Sequence, residues 1–198
     1  MISIIDKKIK LKNLNKSDKN QIILVHTSRN VGEYLVSLKH RHNGDYNKIP
    51  HYVISRKGEI IQLLDNDQNT NFFNDPVYDK KSIVISLENL GWIEKEPLKN
   101  HYINWIGNIY KEKIVDKKWR DYFFWQPYTD IQLDNLAELS KDLSEKMSIN
   151  LTCIGHNTKT NRMETFSGIF TRSNFDENYT DVSPAFDFEY FIKKLENE

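Results

Sequence analysis

Residues 21–28, QIILVHTS, form an apolar run that stops on an imidazole and two hydroxyls. A run of this composition reads as a buried β-strand, which puts His26 at the strand's mouth. Residues 151–159, LTCIGHNTK, repeat the pattern, with His156 following the end of an apolar strand. Either histidine alone has an ordinary explanation, a hydrogen bond at a strand end. Together they carry more, because the ends of two neighbouring strands of the same sense can bring two imidazoles to one point. A third donor would then complete a hydrolytic zinc site, in which three protein groups bind the metal and water keeps the fourth position. The candidates are Cys153, three residues before His156, and carboxylates near the C-terminus, among them Asp181 in YTDVSPAFDFEYF. Inside its strand Cys153 reads as a small core residue.

The elements that must position these groups are visible in the hydrophobic pattern. Strand signals fall at residues 21–26, 51–55, 59–64, 82–88 and 150–154, and Arg56-Lys57-Gly58 makes a hairpin turn between the second and third. A first helix is expected over 31–39 and the clearest one over 130–147. There Thr129 and Gln132 form a capping box, and Leu133, Leu136, Ala137, Leu143 and Met147 fall on one stripe. A last helix is expected after Ser183-Pro184, with Phe188, Phe191, Ile192 and Leu195 on its inner side. Strands alternating irregularly with helices predict one α/β domain with a central mixed β-sheet flanked by helices. No Gly-x-Gly-x-x-Gly follows the first strand, which argues against a dinucleotide fold.

Bulk properties narrow the function classes. The 198 residues fit one domain, and 28 basic against 28 acidic residues leave no net field to draw the chain onto nucleic acid or an anionic membrane. A single cysteine excludes an intrachain disulfide and suits a reducing compartment. No window approaches a membrane span, and the apolar start MISII is too short for a signal peptide. The expectation is therefore a chain made in the cytoplasm, any work outside requiring a separate release route. Nothing in the sequence specifies an oligomeric state.

At this point several stretches resemble a known family. IILVHTS, PHYVISRKGEIIQLL, SIVISLEN, YTDIQLDNLAELSKDL, CIGHN and DVSPAFDF occur in the order and with the character of the zinc-dependent N-acetylmuramoyl-L-alanine amidases. That fold is shared with peptidoglycan recognition proteins and phage amidase lysins, and the resemblance spans about residues 20 to 195. It implies that His26 and His156 are zinc ligands and that Asp181, ahead of Pro184, Phe186 and Asp187, is the third. It also implies hydrolysis of the amide between N-acetylmuramic acid and L-alanine in peptidoglycan, with zinc polarising the carbonyl and lowering the pKa of its bound water.

The chain departs from the family in places that matter. Where many members carry a general acid/base glutamate, Ser82-Ile83-Val84-Ile85-Ser86 ends on serine. Glu88 stands two residues on, on the same strand face about 6.6 Å along, and is expected to reach the metal-bound water from there. The tyrosine and lysine on which other members rely are replaced by Pro50 and Tyr179, which leaves Arg172 in GIFTRSNF as the candidate cation for a developing oxyanion. These departures also admit a second reading, a muropeptide-binding module without turnover. His51 matches a position near the site that does not bind metal and is expected in the core or behind the ligands; His40, His42 and His101 are expected on the surface. The chain outside the core reads as an arm over residues 1–20, an aromatic insertion over 91–128 with Trp92, Trp105, Trp119 and Trp125, and a long loop over 157–180 between the second and third ligands. Of the aromatic rings, one or two are expected to face substrate, where they can stack on sugar.

Overall fold

The computed structural model describes residues 2–10, 15–40, 48–159 and 162–197; His42 and parts of the arm and the long loop lie outside them. A six-stranded mixed sheet forms the centre, in the order β1 (Ile4–Asp6), β4 (Ile60–Gln62), β3 (Tyr52–Ile54), β5 (Ser82–Leu87), β2 (Gln21–His26), β11 (Gly168–Thr171). β3 and β4 are antiparallel, as their short hairpin requires, and every other pair in this sheet is parallel. Gly58 turns the hairpin at φ +87°, a conformation that costs glycine nothing and that side chains resist.

Strand alternation decides what each face meets. Ile22 and Leu24 of β2, with Ile83, Ile85 and Leu87 of β5, pack under α3 (Asp130–Met147) and α4 (Phe188–Glu196), through Leu133, Leu136, Leu143 and Phe191. Ile23, Val25 and Val84 point the other way, into a second cluster with Ile154, Met163 and Phe170. α1 (Val31–His40) covers one face of β3 and β4, packing Tyr34 and Leu38 in a cluster with Val53 and Ile61. α3 begins where its capping box stands, with Thr129 accepting from Gln132 N–H and the Gln132 side chain accepting from Thr129 N–H.

Several expectations shift. Residues 150–154 form no strand; Cys153 makes one isolated bridge to Ile169, and the strand beside β2 is β11, inside the stretch read as loop. The arm contributes β1, paired parallel to β4. A short helix, α2 (Pro76–Lys81), opens on Asp75, whose carboxylate accepts from Val77 N–H. α4 starts at Phe188 instead of just after Pro184, because the Asp187 carboxylate supplies the cap to Tyr190 N–H. The aromatic insertion folds as its own five-stranded antiparallel sheet, ordered β8 (Ile109–Tyr110), β7 (Tyr102–Asn104), β6 (Trp92–Lys95), β10 (Tyr122–Trp125), β9 (Val115–Trp119). Trp125 is fully buried and anchors this sheet. Among the described residues no helix is long and apolar enough to cross a membrane.

Candidate active-site cleft

His26 ends β2 on the same face as Ile22 and Leu24, beside the point where the chain turns into the insertion sheet at Gly91. The residue is half-buried, and its buried Nδ1 makes no hydrogen bond within the chain. Burial pushes its pKa below the ordinary histidine value; the Asp181 carboxylate pulls it back up and the Arg172 guanidinium pushes it down. The insertion starts directly above it. A Cβ at Gly91, φ +81°, would stand 3.1 Å from His26 Cε1, so only glycine lets the backbone pass this close while turning into β6.

His26 lines a cleft of about 450 Å³ together with Asp181 and Arg172. One wall is aromatic: Trp92 stacks on Tyr122 at 4.9 Å between ring centroids, and Trp105 donates its indole N–H to Ser28 O at 2.5 Å. The opposite rim is the segment leading into Asp181, tied to the insertion by Arg120, whose Nη1 donates to Glu177 O and Tyr179 O. Arg120 and Gly91 both shape the cleft, and neither stood out in the sequence. Arg120 lies among aromatics that draw the eye, and the close approach at Gly91 is a property of two distant segments.

Asp181 is 1% exposed, and its carboxylate is held by Arg172: Nη2 donates to Oδ2 at 2.6 Å, and Nε lies 3.0 and 3.1 Å from Oδ2 and Oδ1. Burial works against the guanidinium's charge, but Asp181 outweighs it and holds the Arg172 pKa above its ordinary value. The cation also rests on aromatic faces, 3.7 Å from the Tyr179 ring centroid and 5.4 Å from that of Phe72.

His156 does not share the cleft's lining. Its ring packs on Trp119, 4.4 Å between centroids, and 6.1 Å from Phe188. Both ring nitrogens are buried without a hydrogen-bond partner, and burial, assisted by Lys117 and Arg120, lowers the pKa to about 4. Among the described residues, no three His, Cys, Asp or Glu stand together closely enough to hold a metal ion. His26, His156 and Asp181 therefore form no assembled metal site in this arrangement, although their donor types are ones that zinc takes. Three imidazole nitrogens lie buried and unpartnered, a costly state that a metal would relieve. The carboxylate is the donor that is engaged elsewhere. Cys153 is partly buried, its pKa pushed to about 12 by burial, which keeps it a thiol and a poor ligand.

The remaining candidates separate clearly. Glu88, expected to reach into the site, gives Oε1 to Val31 N–H at 3.1 Å and Oε2 to Arg56 N–H at 2.7 Å. It faces a different, smaller cleft beside Asn30, Arg56 and Gln126. Ser86, at the usual glutamate position, is registered beside Val25 and Val53, so it points away from the face that carries His26. Its Oγ is buried and makes no hydrogen bond. His51 is fully buried, with Nδ1 accepting from Val84 N–H at 3.0 Å and Nε2–H donating to Gln68 O at 2.9 Å. Trp92 and Trp105 line the cleft, while Trp119 and Trp125 pack within the fold.

A family model described as N-acetylmuramoyl-L-alanine amidase matches residues 15–165. Among solved structures, N-acetylmuramoyl-L-alanine amidase LysC from Clostridium intestinale URNW is 16% identical over 98% of each chain, with a TM-score of 0.61. The endolysine N-acetylmuramoyl-L-alanine amidase LysCS from the same organism is 15% identical, covering 98% of this chain and 96% of its own, at 0.62. AmiD from E. coli, in complex with anhydro-N-acetylmuramic acid-L-Ala-D-gamma-Glu-L-Lys, is 15% identical over 95% of this chain and 61% of its own, at 0.52. At these identities the likeness is one of fold. No curated protein sequence matches.

Proposed function

Because this chain belongs to the N-acetylmuramoyl-L-alanine amidase family, we propose that it hydrolyses the amide between N-acetylmuramic acid and L-alanine in peptidoglycan, in the manner of a lysin. The observation that carries the reading is the cleft at the end of β2, where His26, Asp181 and Arg172 share one lining beneath Trp92 and Trp105. A zinc ion held by His26, His156 and Asp181 would require His156 to leave Trp119 and Asp181 to leave Arg172, and when bound would supply Lewis acidity and a water of lowered pKa.

The chain's own side chains do the rest. Trp92 and Trp105, which line the cleft, offer apolar ring surface on which a sugar ring can lie. The Arg172 guanidinium, permanently charged, favours negative charge gathering on the carbonyl oxygen of a substrate held beside His26. Glu88 sets the start of α1 and the turn at Arg56, and so holds the strand ends in place without touching substrate.

A binding-only reading draws on two observations: Asp181 is engaged by Arg172, and serine stands where the family glutamate is usual. The assay that separates the two incubates zinc-supplemented protein with purified peptidoglycan and measures newly exposed L-alanine amino termini. Release that His26→Ala abolishes supports hydrolysis. Retention on the wall without release at any pH supports recognition alone.

A further inference from the structure

Arg120 stands where its turn favours glycine. Trp119 of β9 pairs with Tyr122 of β10, so Arg120 and Asp121 make a two-residue hairpin turn, and Arg120 takes the first position at φ +55°. A side chain is strained in that conformation, which glycine adopts freely. What offsets the strain lies at the far end of the side chain, where Nη1 donates to Glu177 O and Tyr179 O, each at 2.5 Å, on the opposite rim of the cleft. We propose that Arg120 is a positioning residue for the cation of the site. By fixing the backbone of residues 177–179 it holds the Tyr179 ring against the Arg172 guanidinium, and so orients the group that meets the substrate's carbonyl oxygen. This rests on the hydrolysis reading above and adds to it a task for the insertion sheet.

Three side chains hold the guanidinium. Asp181 takes Nε and Nη2, Tyr179 lies 3.7 Å away by its ring centroid, and Phe72 lies 5.4 Å away. With those two nitrogens given to Asp181, Nη1 is the donor left for a substrate oxygen. Asp181 is anchored, being 1% exposed and accepting at its backbone O from Ser173 N–H at 2.9 Å. Tyr179 is not, since it is 41% exposed on a surface segment. That segment's other ties are a turn on Asp176 and the exposed Lys159–Glu177 ion pair, which holds little. The two bonds from Arg120 carry a full charge and are the stronger restraint. Losing them frees the ring that keeps the guanidinium in its plane, and misplacing a reacting group by about 1 Å can cost on the order of a hundredfold in rate.

The test measures L-alanine amino termini released from purified peptidoglycan by the full chain, comparing wild type with Arg120→Gly, Arg120→Lys, Tyr179→Ala, Tyr179→Phe, Arg172→Gln and the pair of Arg120→Gly with Arg172→Gln. Arg120→Gly suits the turn and removes only the side chain, so kcat should fall about tenfold while KM moves less than about threefold. Arg120→Lys should recover part of that loss. Tyr179→Phe keeps the ring and should recover most of what Tyr179→Ala loses. Because Arg120 acts through Arg172, the pair should be within about twofold of Arg172→Gln alone. Losses that multiply in the pair, or an unchanged kcat in Arg120→Gly, overturn the positioning role and leave the hydrolysis reading standing. No release by wild type faults the hydrolysis reading and the positioning role with it. Nitrogen-15 NMR supplies a readout apart from turnover: the Arg172 Nε–H signal should shift in Arg120→Gly and in Tyr179→Ala as the ring leaves the guanidinium. A signal unchanged in both refutes the proposal.

Discussion

Two residues with similar chemistry carry different loads in this fold. Glu88 and Asp181 are both carboxylates near the mouth of the central sheet, yet the first accepts from two backbone N–H groups and the second from a guanidinium facing the cleft. Replacing Glu88 by Gln should therefore cost about 1 kcal/mol of stability, through the weaker acceptor at the start of α1. Turnover on peptidoglycan should stay within about twofold of wild type; a loss of three orders of magnitude would put Glu88 in the proton transfer after all. His51 makes a different prediction. Burial, only partly offset by its bond to Gln68 O, depresses its folded pKa to about 3 from an unfolded 6.5. Between those values the unfolded chain binds the proton and the folded chain does not, so stability is complete above about pH 6.5 and falls as the pH drops toward 3. Urea unfolding at pH 7.5 and pH 5 should give midpoints that differ in this sense, and His51→Gln should flatten the difference. What the residues alone revealed was the pair of imidazoles at two apolar ends. What they concealed was partnership: the backbone N–H groups that Glu88 accepts from belong to Val31 and Arg56, far from it in sequence.

At the scale of elements, legibility follows the range of the forces. β2, β5 and α3 could be drawn from the sequence nearly to the residue, because alternation, the 3.6-residue stripe and the Thr129–Gln132 box are local codes. The capping box is testable in isolation: Thr129→Ala should lower the unfolding free energy by about 1 kcal/mol, read from chemical denaturation with an unchanged slope. β11 was missed because four residues, Gly168–Thr171, become a strand only by pairing in parallel with β2, a partner well over a hundred positions away. Parallel pairing across such a distance leaves no turn and no alternation to read. The same holds for β1, whose three residues gain their structure from β4.

The whole molecule is a mixed sheet with a smaller antiparallel sheet closing over one end, and the cleft belongs to neither alone. Gly91 threads the chain past His26 into the second sheet, and Arg120 ties that sheet back to the segment before Asp181. If the aromatic wall receives the glycan, Trp105→Ala should raise KM for muramyl-peptide substrates several-fold and leave kcat within about threefold; an equal loss in both would assign Trp105 to the chemistry instead. The sequence by itself determined the α/β class, the positions of β2, β3, β4 and β5, the two histidines at apolar ends and the resemblance that joins them to Asp181, because each is written in neighbouring residues. Only the tertiary structure decided that Arg172 holds Asp181, that Glu88 serves the backbone, and that Trp92 and Trp105 overhang His26. Those outcomes depend on which distant side chains folding brings within a few ångströms of one another, and hydrogen bonds and charges act at that distance, not along the chain.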